Sequence, residues 1–429
     1  MKKSLLAVAA MGAFASAAQA QSSVTVYGLL DVGFVGTNER ISANAITNNG
    51  GQYKKTTNSF GGVGAESTSR LGFKGTEDLG GGMSAFFTAE FALFPNDQTL
   101  SGNSTATTNN GAGLQNRQAF VGLKKAGLGS TAIGTQYTPV FNANAATNPN
   151  GSNNLLGDLV YQGTTIATSG NGTGGSNSAS FTNRASNSLT IQSDKFAGFS
   201  ANLLWTLNNA TASSANSSAS TAVNQISSGG TTNASGWGLG ADYTYNKFYV
   251  SAAYQALKQV TSANGYVPAT GIPATTSVPW TGQQANGATT SVNGASNALD
   301  IQDNQFLAGA TYDFGILKAY AQYVNRKATS TISPNYYVKR QAEQIGVRSY
   351  ITPTIEAWAS GSLGRYTAYG VNQPTSNMNA WQLGSNYYLS KRTNLYAIYG
   401  QQVISTSAVG TQSGSASASN YAVGIRHTF

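Results

Sequence analysis

The chain has 429 residues, a formal charge of +9, one histidine and no cysteine, which excludes disulfides and leaves no thiol or imidazole cluster for zinc, iron or haem, so no cofactor is expected. Only 9% of residues are charged, against roughly 25% in ordinary soluble domains. The 50 glycines and 22 tyrosines are high counts that suit an exported all-β protein, and the dispersed lysines and arginines form no basic stripe of the kind that holds nucleic acid.

The first element is "MKKSLLAVAAMGAFASAAQA", with Lys2 and Lys3, then an apolar run, then Ala18-Gln19-Ala20. This is the pattern of a secretion signal with an A-x-A cleavage site, so 1–20 is expected to be removed and 21–429 to form the working domain. No later apolar run reaches the ~20 residues that a spanning helix requires.

From "SVTVYGLLDVGF" onward, strand-like segments come in pairs joined by short turns. The turns are "TEDLGGG", "KKAGLGS", "DKFAGF", "YNKF", "DFGI", "ITPT" and "LSKRT", built from residues that turns require. Successive pairs are separated by connections rich in Asn, Ser, Thr and Gly: 37–67, 94–114, 141–183, 209–234, 261–303, 328–335, 367–377 and 402–417. Such composition cannot bury a core of its own. With "NYAVGIRHTF" at the end, the count is about sixteen strands, with both termini on the short-turn side. The expected fold is an all-β, 16-stranded antiparallel transmembrane barrel with short periplasmic turns and long outer loops.

The residue faces agree with a barrel. Val24, Val26, Leu30, Val32 and Phe34 share one parity of the first strand, and Thr25, Tyr27 and Asp31 share the other. Ile345 and Val347 alternate with Gln344, Gly346 and Arg348. In a membrane barrel the apolar face meets lipid, the polar face lines water, and closure removes every unpaired edge. "GWGLGAD" at 236–242 lacks the spacing and the following helix of a phosphate loop, so its glycines read as strand glycines.

The stretch "SRLGFKGTEDLGGGMSAFFTAE" at 69–90 resembles the second and third strands of the general diffusion porins of Gram-negative outer membranes, closest to the β-proteobacterial type. "SSVTVYGLLDVG", "NRQAFVGL", "IGTQYTP", "YDFG", "LSKRTNLYAIY" and "VGIRHTF" extend the resemblance along the chain in the family's order. The resemblance implies a homotrimer of water-filled barrels in outer-membrane lipid and lipopolysaccharide, passing ions and small hydrophilic solutes by passive diffusion. It also implies that the third outer loop, here 141–183, folds inward to narrow the pore, and that wall arginines face acids on that loop.

Three arginines occupy the family's wall positions: Arg70 in "SRLGF", Arg117 in "NRQAF" and Arg184 in "TNRASNS". A guanidinium stays charged at every working pH, so a row of them in a wet neck favours anions. Relatives often read "GRQY" where this chain has "GTQY", so at Thr135 the ladder is one rung shorter. Across 141–183 the only charged residue is Asp158, which reads either as a constriction acid or as a turn-capping Asx residue. A modest preference for small anions is expected. Lys74 shares the parity of Arg70 and is expected lower in the pore; Asp31, Arg340 and Arg348 are further lining candidates. The terminal strand is expected to close the barrel on the first, and the resemblance adds that Phe429 is part of the signal read by the barrel-assembly machinery. A barrel enzyme would need a nucleophile with a base, and His427 on the outer parity of the last strand makes a poor base, so no enzymatic role is expected. A solenoid would need a fixed-period repeat, which the unequal loops do not supply.

Overall fold

The computed structural model describes residues 23–41, 53–61, 64–95, 115–161, 182–212, 230–263, 290–292, 295–297, 301–330, 337–368, 375–409 and 412–429; the expected signal segment 1–20 lies outside them. The wall runs through β1 (Ser23–Ile41), β2 (Tyr53–Gly61), β3 (Arg70–Gly80), β4 (Met83–Ala92), β5 (Gln115–Lys125), β6 (Gly129–Tyr137), β7 (Arg184–Ser193), β8 (Phe199–Ala212), β9 (Gly230–Tyr245) and β10 (Phe248–Ala263). After a separate short hairpin of β11 (Thr290–Val292) and β12 (Ala295–Asn297), it continues through β13 (Ile301–Asp313), β14 (Lys318–Ser330), β15 (Tyr337–Thr352), β16 (Ile355–Ala368), β17 (Thr375–Tyr388), β18 (Thr393–Val409) and β19 (Gln412–Thr428). One helix, α1 (Pro139–Thr147), follows β6.

Every wall pairing is antiparallel, and β19 closes the cylinder on β1 from Leu29↔Thr428 to Ile41↔Ala416. The second wall strand is in two pieces. β2 pairs with the distal half of β1 (Gly33↔Gly61 to Ile41↔Tyr53), and β3 pairs with its proximal half (Ser23↔Thr76 to Leu29↔Arg70). The barrel therefore has 16 strands, and the seven short turns all fall where the turn residues predict. Among the described residues, strands also occur within expected loops: the hairpin of β11 and β12 lies in 261–303, and two further cases extend the wall. The segment 37–67 contains β2, and 402–417 is mostly a continued hairpin of β18 and β19. Both are rich in Thr, Ser and Asn, whose polarity suits strands that extend past the bilayer as well as it suits loops.

The alternation sorts residues as the two solvents require. Val24, Val121 and Ile345 are 63%, 61% and 69% exposed on the outer face, while Asp31, Gln344 and Gln382 on the inner face are almost fully covered. An apolar band of this extent on a protein surface marks contact with lipid. At the seam, Phe429 and Gly28 exchange backbone hydrogen bonds of 3.1 Å in both directions. A Cβ at Gly28 would lie 2.5 Å from both the Phe429 ring and the Arg70 carbonyl, so a residue without a side chain suits the seam there.

Candidate functional site

The third loop enters the barrel as α1. Thr138 caps it by accepting a 3.2 Å bond from the Phe141 N–H, and Pro139 opens the first turn, where its missing N–H costs nothing. Val140 and Ala143 then bury against Ala253, Leu307, Val324 and Ala342, which point inward from β10, β13, β14 and β15. An aqueous lumen has no use for apolar wall residues there. They form a small core that glues the loop to one side of the barrel, and Leu159, Val160 and Tyr161 extend it.

Polar contacts finish the attachment. Gln322 donates to the Asn144 carbonyl (3.1 Å) and Thr147 Oγ1 (2.9 Å), and Gln382 donates to the Leu156 carbonyl (2.8 Å) and accepts from Asn153 (2.6 Å). The wall here is largely amide, and Gln255 faces Gln305 while Gln322 faces Gln344 across neighbouring strands. Amides donate and accept together, so an Asn-rich loop can be held without placing charge in the lumen.

This geometry corrects one lining expectation, Arg340, and gives Arg348 a second contact. Arg340 is 1% exposed, and its guanidinium donates to the carbonyls of Leu159 (2.5 Å) and Val160 (3.3 Å). Arg348 donates to the Pro149 carbonyl (3.2 Å) and pairs with Glu356 at 3.0 Å. Both anchor the inward loop; Arg340 is covered by it, while Arg348 keeps about the exposure of Arg70, 20% against 22% of the side chain. A lone strand pattern reports the inward direction and is silent on what fills the space inside.

Asp158 is also placed inside the loop and not on its lumen surface. It is 2% exposed; Oδ1 accepts from the N–H groups of Val160 (3.0 Å) and Tyr161 (2.7 Å), and Oδ2 accepts from Asn148 (2.7 Å). That is the turn-capping arrangement. Burial pushes its carboxyl above the ordinary carboxylate range, against the opposing pull of these donors. Asp31, 0% exposed, is covered by the segment 64–69, accepting from the Ser67 N–H (2.6 Å) and the Tyr396 hydroxyl (2.6 Å). It does not line open water.

The three wall arginines come together on the side of the lumen that the loop core leaves uncovered, along β3, β5 and β7. Arg117 Nε donates to Glu90 Oε1 at 2.7 Å and its Nη2 to the Tyr137 hydroxyl at 3.0 Å. Arg70 lies 4.0 Å from the same carboxylate, and its Nε and Nη2 are held by the Thr68 carbonyl (2.9 Å) and Ser67 Oγ (2.8 Å). Arg184 stacks over the Tyr137 ring with its Cζ 5.3 Å from the centroid, and its charge reaches both other arginines. Tyr137 in turn stacks on Phe141 of α1 at 4.2 Å, joining the wall cluster to the loop. Lys74 lies on the same face with its Nζ over the Tyr27 ring at 5.3 Å, and Tyr27 donates to Glu90 at 3.2 Å.

Glu90 was not singled out from the sequence, although it ends the 69–90 stretch and has the inward parity of β4. It is the acid that faces the arginines, and it comes from the wall, not from the loop. Arg117 shows a second limit of pattern reading. Its parity matches the lipid-facing Val121, but the register jumps from Glu90↔Gln118 to Phe91↔Asn116, leaving Arg117 as the extra residue of a bulge. The bulge turns its side chain into the lumen. The cluster thus holds three guanidiniums and one carboxylate, which meets Arg117 and Arg70.

Comparison with known proteins agrees with this construction. A family model described as Gram-negative porin matches residues 7–407. The chain is 27% identical over the full length of both chains to an outer membrane porin protein of Bordetella pertussis, and 25% identical, again over both full lengths, to outer membrane porin protein 32 of Delftia acidovorans. Among solved structures, the anion-selective porin from Comamonas acidovorans superposes with a TM-score of 0.57 at 21% identity, covering 95% of this chain and 100% of that one.

Proposed function

The chain belongs to the Gram-negative porin family, and from that premise we propose that its outer-membrane channel favours small anions through the field of Arg70, Arg117 and Arg184. As a porin it forms a water-filled barrel in the outer membrane through which ions and small hydrophilic solutes diffuse passively. The observation that carries the preference is the cluster's imbalance: Arg70 and Arg117 share the single carboxylate of Glu90, Arg184 stands beside them on Tyr137, and the facing loop buries its only acid, Asp158. Fixed charge in a narrow neck acts on every passing ion, and here the excess is positive. The Comamonas protein of the same fold is an anion-selective porin, which supports the same sign.

The working assembly in this reading is a homotrimer embedded in lipid and lipopolysaccharide, made from 21–429 after removal of 1–20. Phe429 at the seam serves as the terminal signal for the barrel-assembly machinery; deleting it is expected to lower trimer yield in cells. The channel itself is tested by planar-bilayer recording of purified protein. Stepwise openings, often in threes, and a reversal potential of anionic sign under a salt gradient are expected. No conductance from folded, heat-modifiable trimers would defeat the channel, and clear cation preference would defeat the selectivity.

A further inference from the structure

The inward loop is not the only segment inside the barrel. Between β2 and β3, residues 64–69 turn away from the wall, and the chain there reads Gly-Ala-Glu-Ser-Thr-Ser. A composition this small and polar would be unremarkable at an outer loop tip. Instead Gly64, Ala65 and Ser69 are buried, and Ala65 sits in a cluster with Leu155, Val35, Trp358, Tyr396, Ile398 and Ala422. The segment is joined to the inward loop: Asn154 donates its N–H to the Ala65 carbonyl (3.0 Å) and its side-chain amide to the Gly64 carbonyl (2.8 Å). At Gly64 a Cβ would meet the Ser67 carbonyl at 2.2 Å, and the backbone stands at φ +86°, so this entry point requires glycine.

One side chain of the segment crosses to the opposite end of the chain. Glu66 Oε1 accepts from Asn386 (2.9 Å) and Oε2 from Asn394 (2.9 Å), and Arg426 lies 3.4 Å from Oε1. These partners belong to β17, β18 and β19, and Arg426 is itself held by Asn394 at 3.0 Å. The residues next to Glu66 act elsewhere, for Ser67 and Thr68 hold the guanidinium of Arg70. The segment thus bridges the seam-side wall and a constriction arginine, with its own acid matched by Arg426.

Building on the channel reading above, we propose that 64–69 is a second inward element of the constriction and that Glu66 is its clasp, positioning Arg70 and helping to set the size limit of the pore. A mobile 64–69 would leave Arg70 a long side chain free in water, with its charge spread over many rotamers and less field at the neck. Glu66 prevents that from a distance and adds no net negative charge, because Arg426 neutralises it. Glu66 is a positioning residue; it acts through Arg70.

The test uses full-length trimers of the parent, Glu66→Gln and Glu66→Ala in planar bilayers. Polyethylene glycols of graded size measure the exclusion limit, and a salt gradient measures selectivity. Glu66→Gln keeps an acceptor for the wall amides, so it should retain the parent size limit and gain a small anionic shift from the freed Arg426. Glu66→Ala removes the clasp, so it should raise the exclusion limit, increase open-channel noise and weaken the charge preference that Arg70 supplies. Folded Glu66→Ala trimers with the parent size limit and noise would overturn the proposal. Such a result, read from channels that conduct and prefer anions, would leave the channel reading intact. Should Glu66→Ala fail to assemble, Asn394→Ala and Arg426→Gln strip the same carboxylate from the wall side; parent-like limits in both would overturn the proposal equally.

Discussion

Removing the one acid among the wall arginines should make the pore more anion-selective. In Glu90→Gln the side-chain oxygen still accepts from Arg117 Nε, now 2.7 Å from Glu90 Oε1, and the amide can still meet the Tyr27 hydroxyl, so the wall geometry should survive. The formal excess of the cluster rises from two positive charges to three, because its three guanidiniums then have no carboxylate among them. A unit charge about 4 Å from a passing ion is worth about 1 kcal/mol at the dielectric of water. The added charge helps an anion and opposes a cation by like amounts, so their difference shifts by about 2 kcal/mol, roughly thirtyfold without screening. Screening over about 10 Å at 0.1 M salt and about 3 Å at 1 M reduces this to an expected three- to tenfold rise in the anion-to-cation permeability ratio, about the upper figure on the dilute side. The assay is the reversal potential of single channels under a KCl gradient, repeated at low and high mean salt. An unchanged potential, a shift toward cations, or a shift that does not shrink with salt would refute the electrostatic account.

Arg117→Gln should move the reversal potential toward cations by about the same energy, because it removes one positive charge from the same place. Asp158→Asn should shift selectivity less than Glu90→Gln, since the Asp158 carboxylate is taken up by donors of its own loop and that of Glu90 by the wall arginines; a shift matching that of Glu90→Gln would restore Asp158 to the constriction. Its pH dependence has a definite sign. A carboxyl raised in the folded state contributes stability that is present below its unfolded pKa and lost as pH rises through the folded one, so any stability advantage of Asp158→Asn should grow in thermal melts as pH rises above the ordinary carboxylate value of about 4. Arg340→Ala leaves the buried carbonyls of Leu159 and Val160 without that donor, at about 1–3 kcal/mol for each unsatisfied group, and should appear as a noisier pore with a larger exclusion limit. A quiet parent-like channel would count against Arg340 as an anchor.

The barrel was legible because its two signals are local. Seven turns carry turn residues, and Val24, Val26 and Leu30 against Tyr27 and Asp31 declare the faces within one strand. The arrangement inside the barrel was less legible, because it depends on what comes to lie against the inward parity from far along the chain. Arg340 and Arg348 have the lumen direction that the pattern assigns, yet both meet carbonyls of residues 149–160. The pairing of Glu90 with Arg117 depends on a bulge, which period-two reading counts as an error in phase. The inward turn at 64–69 is written in the same small polar residues as a solvated loop, and only the partners of Glu66 distinguish the two.

The two uses of arginine explain why a chain so poor in acids can still order its lumen. Holding a loop inside a barrel requires donors for its carbonyls, and arginine supplies several from one rigid fork. On the glued side those forks are consumed: Arg340 by loop carbonyls, Arg326 by Asp303 at 2.7 Å, Arg348 by Glu356 and Pro149. Arg326 and Arg348 are each matched by an acid of their own, whereas Arg70 and Arg117 share Glu90 and Arg184 stands on Tyr137, so the wall cluster keeps a net positive charge. Most of the remaining attachment is apolar or amide, which leaves the loop neutral at its surface. Had the loop been tied to the wall by its own carboxylates, each tie would have placed an acid opposite Arg70, Arg117 and Arg184 and cancelled part of their field. A neutral, amide-bound loop is therefore the condition under which three arginines and one glutamate can set the sign of selectivity.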